Sequence, residues 1–361
     1  MRNNKIAKIM SYIPDVDCII LFNQGQNIID RTFLYLTQTE SARFENSAMI
    51  IKKDAEVILT TPLEEEAARA SGMDVHIVSN REQLSTAVGN EIKDCGTIGL
   101  NMSSISSVTF QDMLKIIGND KIMDISKAIE NARMIKDKKE LDCIYKSATI
   151  ATRAFEKTLE KMESGMTEYE LESELIYNMM RYGSSGPGTN TIVSFGKNSS
   201  VPHHAAGNNR LAVGDFVLFD FGAKINGYRT DIARTIVFGV ASEKQKEMYK
   251  IVKEAQRKSF LGIKDGVSGK EIDKLARTYI NSTQFKGKFI HSLGHGIGLD
   301  IHEPPFISPY SSDILRKDSV VAVEPGIYEE NYGGVRIEDD LIVTENGFKA
   351  LTTSADKILE I

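Results

Sequence analysis

Tryptophan is absent from the 361 residues, and cysteine occurs three times, at Cys18, Cys95 and Cys143. The three lie far apart and none forms a Cys-x-x-Cys pair, so neither a disulfide framework nor a zinc ribbon is indicated. Such usage suits a reducing, cytoplasmic setting. No apolar run of about 18 residues occurs, so no segment is expected to span a membrane. The basic start is followed by Pro14, Asp15 and Asp17, which interrupt the apolar core a signal peptide needs. Positive charge is not in excess. The 44 Lys and Arg against 50 Asp and Glu leave a formal charge of −6, with no electrostatic basis for binding nucleic acid or anionic lipid. There is no His-Glu-x-x-His, no phosphate-binding P-loop and no Gly-x-Ser-x-Gly.

What is present is ordinary globular material, 41% hydrophobic and 26% charged, enough for two or three domains with their own cores. Residues 1–128 alternate strand-like runs (Cys18–Phe22, Met49–Ile51, Val57–Leu59) with helical patterns at Leu63–Ala70 and Val108–Ile117, which predicts an α/β domain. Little in it could do chemistry. Five of the six histidines, His203, His204, His291, His295 and His302, fall in one 100-residue stretch of the remaining chain, residues 129–361.

A long helix is expected from about Asp137, where Leu141, Ile144, Ala148, Ala151, Phe155, Leu159 and Met162 recur at three- and four-residue spacing. Gly165 ends it, and Thr167 with Glu170 forms a capping box for a second helix reaching about Arg181. The segment from Gly165 to Leu171 returns 101 residues later as Gly266 to Ile272: Gly, apolar, hydroxyl, two variable residues, Glu, apolar. The match predicts an internal repeat of two α/β halves.

Each half then delivers two acids at nearly the same place. Asp220 and Asp231 lie 55 and 66 residues beyond Gly165, and Glu324 and Glu338 lie 58 and 72 beyond Gly266. Positions paired across a two-residue turn at Asn226-Gly227 add to an odd number, as 220 and 231 do, so both aspartates should point to one face. Two carboxylates on strands this apolar repel unless a cation neutralises them. The alternative is one buried acid paired with Arg229 or Arg234. Glu324 closes the apolar run from Val320, and Glu338 follows that from Val335. Four acids and His295, which has a glycine on either side, suit a pair of divalent cations.

Four stretches, LFDFGAKINGYRTDIART, FIHSLGHGIGLDIHEPP, AVEPGIY and GVRIEDD, resemble the pita-bread metallopeptidase superfamily, and within it the Xaa-Pro peptidases, aminopeptidase P and prolidase. They stand in the family's order over residues 130–361. The resemblance implies a creatinase-like N-terminal α/β domain before a pita-bread catalytic domain with a pseudo-twofold repeat. It implies Asp220, Asp231, His295, Glu324 and Glu338 as ligands of two divalent ions. Manganese, cobalt, zinc and iron all accept such a set. It further implies catalytic or substrate-binding roles for His203, His302 and His291, and a substrate-side role for Arg336. His204 and Tyr228 are read as bystander and packing. In the N-terminal domain, Asn27 to Thr37 loosely resembles a family stretch, and relatives dimerise there, so a homodimer is expected.

The reaction so implied is hydrolysis of the bond before proline. Hydroxide between two ions attacks the carbonyl, a histidine (His203 or His302) supports the oxyanion, and Glu324 moves the proton to the leaving nitrogen. Creatinase-like amidinohydrolases and metal-free binding modules share the fold but lack the full ligand set. Methionine aminopeptidases share the ligands but usually lack a large N-terminal domain. Phe306 stands where some prolidases place an arginine for a substrate carboxylate, which favours peptides longer than two residues.

Overall fold

The computed structural model describes residues 2–25, 28–40 and 42–361; Asn27, in the stretch compared above, lies outside them. The chain divides into two compact units, Met1–Arg133 and Met134–Ile361.

The first unit is a six-stranded mixed sheet of β1 (Cys18–Asn23), β2 (Ser47–Lys52), β3 (Glu56–Thr60), β4 (Asp74–Ile77), β5 (Ile98–Leu100) and β6 (Ile122–Asp124), in the order β4-β3-β2-β1-β5-β6. The central strand β1 is buried along its whole length, as an almost wholly apolar run requires. Its helices are α1 (Arg2–Met10), α2 (Thr32–Thr37), α3 (Glu65–Ala70), α4 (Arg81–Ile92), α5 (Ser107–Ile117) and α6 (Ser126–Met134).

The second unit repeats one plan. Its first half runs from α7 (Lys138–Leu159) and α8 (Glu168–Arg181) into β7 (Ile192–Phe195), β8 (Phe216–Phe221), the short pair β9 (Lys224–Ile225) and β10 (Tyr228–Arg229), and β11 (Ile232–Val237). The second half runs from α9 (Glu243–Phe260) and α10 (Gly269–Asn281) into β12 (Gly294–Gly296), β13 (Glu303–Ile307), β14 (Val320–Val323), β15 (Gly326–Glu329), β16 (Gly333–Arg336), β17 (Asp339–Val343) and β18 (Phe348–Ala350). Capping boxes open α8 at Thr167 and α10 at Ser268, the two positions the repeat picked out. Helix α7 stops at Leu159 rather than at Gly165, because Glu160 to Gly165 turns away toward the α8 cap.

Two apolar clusters hold the halves. One sets Phe155 against Phe219 (5.2 Å, edge-on) and Phe221 (5.4 Å, stacked). The other packs Met248, Val252, Ile272 and Ile280 against the second sheet. The sheets meet edge to edge where Glu338 N donates to Ala233 O at 3.0 Å and Thr235 Oγ1 bonds Arg336 N and O, both at 3.1 Å. That seam brings the acids of both halves together. Among the described residues no helix is long and apolar enough to cross a membrane.

Candidate metal centre

The Asn226-Gly227 turn has positive φ at both residues, 49° and 79°, the conformation of a type I′ hairpin. Tyr228 pairs Ile225 across it, and Ala233 pairs Asp220. Asp231 is two residues from Ala233, so it shares the face of Asp220. On the other sheet His295 pairs Ala322, and Val323 pairs Asp339. Glu324 therefore continues the His295 face and stands opposite Glu338. Glycine flanks His295 because neighbouring backbone crowds it. A Cβ at Gly294 would lie 2.0 Å from Ala322 O, and one at Gly296 2.4 Å from Pro304 O. Close strand approach accounts for the two glycines.

The side chains converge as this register requires. One ligand atom each from Asp231, His295 and Glu338, all buried, lie within 4.8 Å of one another. His295 Nε2 is 3.8 Å from Asp231 Oδ2 and 3.7 Å from Glu324 Oε1. Asp220 is drawn to one side, with its Oδ2 accepting from Arg336 Nη2 at 2.5 Å. From sequence alone the alternative partner is Arg229 or Arg234. Instead Arg229 donates to backbone at Leu299 and Gly188, and Arg234 pairs Asp339 at 2.8 Å while donating to Glu338 O. Arg234 thus holds the backbone of one acid, and Asp340, accepting from Asp231 N at 3.0 Å, holds that of another.

The electrostatics are those of a cation site. Burial holds the Asp231 carboxyl well above its usual range, and Asp220, Asp340 and Glu324 add to the rise. Burial does the same to Glu338, reinforced first by Asp231. It pushes Glu324 up to about 8, with Arg336 opposing. The His295 imidazole is pushed down to about 3 by burial and then by His302, so it is neutral and free to donate a lone pair. Asp231 Oδ1 and Glu338 Oε2 are buried with no hydrogen-bond donor. Buried carboxylate oxygens without donors are costly, and a divalent cation among them is the partner they fit.

Linkage gives the pH dependence. With Glu324 raised from 4.5 to about 8, the metal-free fold holds a proton that the unfolded chain releases earlier. That contribution to stability is complete below about 4.5 and is lost as pH climbs through about 8. A divalent ion must displace the same proton. Its affinity is therefore expected to rise with pH up to about 8, with proton release measurable by calorimetry in buffers of different ionisation enthalpy. Affinity independent of pH across that window would contradict the assignment.

The outer residues are placed as follows. His302 lies edge-on to His295, ring centroids 4.3 Å apart. His291 Nε2 bonds Tyr328 Oη at 2.9 Å, and its Nδ1 is 3.9 Å from Glu324 Oε2. Burial, and then Arg336, push His291 down to about 3. His203 is exposed on the loop after β7. His204 bonds the buried Glu168 at 2.9 Å, and Tyr228 is buried with its hydroxyl on Glu140. Sequence reasoning missed Tyr328, whose hydroxyl also accepts from Arg336 Nη1 at 2.9 Å, although it closes the AVEPGIY stretch. It also missed Asp340 and Glu168.

Arg336 is 2% exposed and serves Asp220, Tyr328 and Pro202 O together. Arg336→Met should destabilise the metal-free protein by about 3–5 kcal/mol, the cost of stranding one partner of a buried pair, read by urea unfolding. A loss below about 1 kcal/mol, within the ordinary range for a point substitution, would mean that Asp220 does not depend on it.

Two family models match the chain: metallopeptidase family M24 over residues 142–345 and the creatinase/prolidase N-terminal domain over residues 2–135. The Xaa-Pro dipeptidase of Pyrococcus furiosus is 40% identical over 270 residues, 74% of this chain and 77% of that protein. Among solved structures, an Xaa-Pro dipeptidase from Bacillus anthracis superposes over 100% of both chains with a TM-score of 0.91 at 32% identity. An X-Pro aminopeptidase from Thermotoga maritima covers 100% of this chain and 99% of its own, with a TM-score of 0.91 at 30% identity.

Proposed function

From the premise that this chain belongs to metallopeptidase family M24, with a creatinase/prolidase N-terminal domain before a pita-bread catalytic domain, we propose that it is an exopeptidase that uses two divalent ions to cleave the peptide bond before proline. The observation that carries this is the buried convergence of Asp231, His295 and Glu338 with Glu324 beside them, two of whose carboxylate oxygens lack any donor. Asp220 completes the ligand set when Arg336 shares it.

Divalent ions at such a site polarise a carbonyl and lower the pKa of water from about 15.7 towards 7. The protein supplies the rest. Glu324 is the most accessible of the carboxylates in ion-pair contact with His295, with 18% of its side chain exposed against 6% for Asp231. It faces His295 on one side and His291 on the other, so it is the group placed to take a proton from the attacking water and hand it to the proline nitrogen. One histidine, His203 or His302, would support the developing oxyanion. Tyr328 and Arg336 fix His291 and Asp220.

Phe306 is 42% exposed and brings no positive charge to a substrate carboxylate, so peptides with a residue after proline are favoured over dipeptides. The ion is one of manganese, cobalt, zinc or iron, and the assembly a cytoplasmic homodimer. To test the reading, metal-free protein is loaded with each metal and offered a dipeptide ending in proline, a tripeptide with proline second, a methionyl peptide and creatine. Turnover of the proline peptides alone is expected. Release of methionine, hydrolysis of creatine, or no turnover with any metal would overturn it.

A further inference from the structure

We infer that Glu168 is a positioning residue for this reaction: its buried carboxylate ties down the loop that presents His203 and thereby sets where that imidazole stands. The inference rests on His203 as a substrate-facing group.

Glu168 is the first residue of α8 and is fully buried. Its Oε1 accepts from Phe195 N and Asn198 Nδ2, and its Oε2 accepts from His204 Nε2 and Gly207 N, all four at 2.9 Å. These donors bracket the segment 195–207, and His203 lies within the bracket. Capping does not explain the carboxylate, because Thr167 and Glu170 already form the capping box of α8. A buried carboxylate loses its hydration, and four donors, two of them backbone, offset that loss.

The far end of the loop has other anchors. Glu168 N donates to Asn209 O and Tyr169 N to Gly207 O, both at 3.2 Å. The carboxylate adds the hold on Phe195, Asn198, His204 and Gly207. The same loop offers Pro202 O to Arg336 Nη1 at 3.1 Å, so it also touches the guanidinium that grips Asp220. The second half solves the same problem in its own way. On α10, Asp273 accepts from Leu293 N at 3.2 Å and pairs Arg277, which donates to Phe289 O and His291 O. In each half a buried acid on the second helix anchors a histidine-bearing segment.

Glu168→Gln tests this. An amide has one oxygen and one NH2, so either Gly207 N–H or Phe195 N–H faces a donor instead of an acceptor. The amides of residues 195–207 should exchange with solvent faster while those in the body of α8 do not. Misplacement of about 1 Å can cost on the order of 100-fold, so kcat on a proline tripeptide should fall about 10- to 100-fold, with bound metal and KM little changed. In a His203→Ala background the same substitution should cost almost nothing further, because both act through one imidazole. Unchanged exchange of 195–207, an unchanged kcat, or losses that multiply in the double variant would each overturn the inference. If Glu168→Gln does not fold, His204→Ala removes one of the four donors from a half-buried position. It should give a smaller kcat loss that likewise vanishes without His203. The exchange measurement needs no turnover. A wild-type protein inactive on every peptide defeats the proposed function, whereas unaltered exchange defeats the role of Glu168.

Discussion

Glu324→Ala is expected to reduce kcat about 1,000-fold or more on any proline peptide, even with metal in excess, since general acid–base groups contribute about 10²- to 10⁴-fold and this one also touches the ion site. Glu324 Oε1 stands 3.7 Å from His295 and Oε2 3.9 Å from His291. It is thus in ion-pair contact with both the buried His295 and the outer His291. Asp231 and Glu338 are buried behind it, and Asp220 is held by Arg336. Glu324→Gln separates two effects. It keeps the shape and one oxygen, and loses the capacity to take a proton. Bound metal is measured beside kcat. A variant that retains metal yet loses turnover identifies proton transfer. A Glu324→Ala protein with near-normal kcat would remove Glu324 from the mechanism and with it the proposed route.

Stripping the ions is expected to abolish activity and to lower Tm, both reversed by adding a divalent metal. The carboxylates of Asp231, Glu324, Glu338 and Asp340 crowd one buried region, and each is pushed upward in pKa chiefly by burial. Without a cation they must stay protonated or repel. An ion that binds only the folded chain stabilises it by about 2.7 kcal/mol at about one hundred times Kd. At about 2–4 °C per kcal/mol for a domain of this size, Tm should rise by about 5–11 °C on loading. From the linkage above, the rise should be larger near pH 8 than near 4.5. A Tm unmoved by metal across this range would mean that no ion sits among these acids.

Much of this arrangement was legible in the sequence because it is periodic. Strand alternation put Asp220 and Asp231 on one face, and the register through Ala233 places them there. The repeated cap placed α8 and α10 at equivalent points of two halves, and the helices begin there. What escaped were pairings between residues on different elements, which no local pattern encodes. Nothing local to Asp220 says that its guanidinium comes from Arg336 rather than from Arg229 or Arg234, since the choice is made by the seam between two sheets. Nothing local marks Glu168, which follows the Thr167 cap, because burial at a helix start depends on a loop that sequence cannot place over it. Cys18 and Cys95 are far apart in the chain, yet both are buried in one apolar cluster of the first domain. Tyr328 and Asp340 both sit inside the family-like stretches, but hydroxyl and carboxylate roles there depend on partners from other strands.

The central claim is that doubly charged ions sit among Asp231, His295, Glu324 and Glu338. The measurement that reaches it directly is native mass spectrometry of the metal-free protein titrated with manganese, alongside a variant carrying Asp231→Asn and Glu338→Gln. The account predicts two ions per chain at saturation in the wild type and their loss in the variant. No uptake by the wild type, or equal uptake by both proteins, would contradict it.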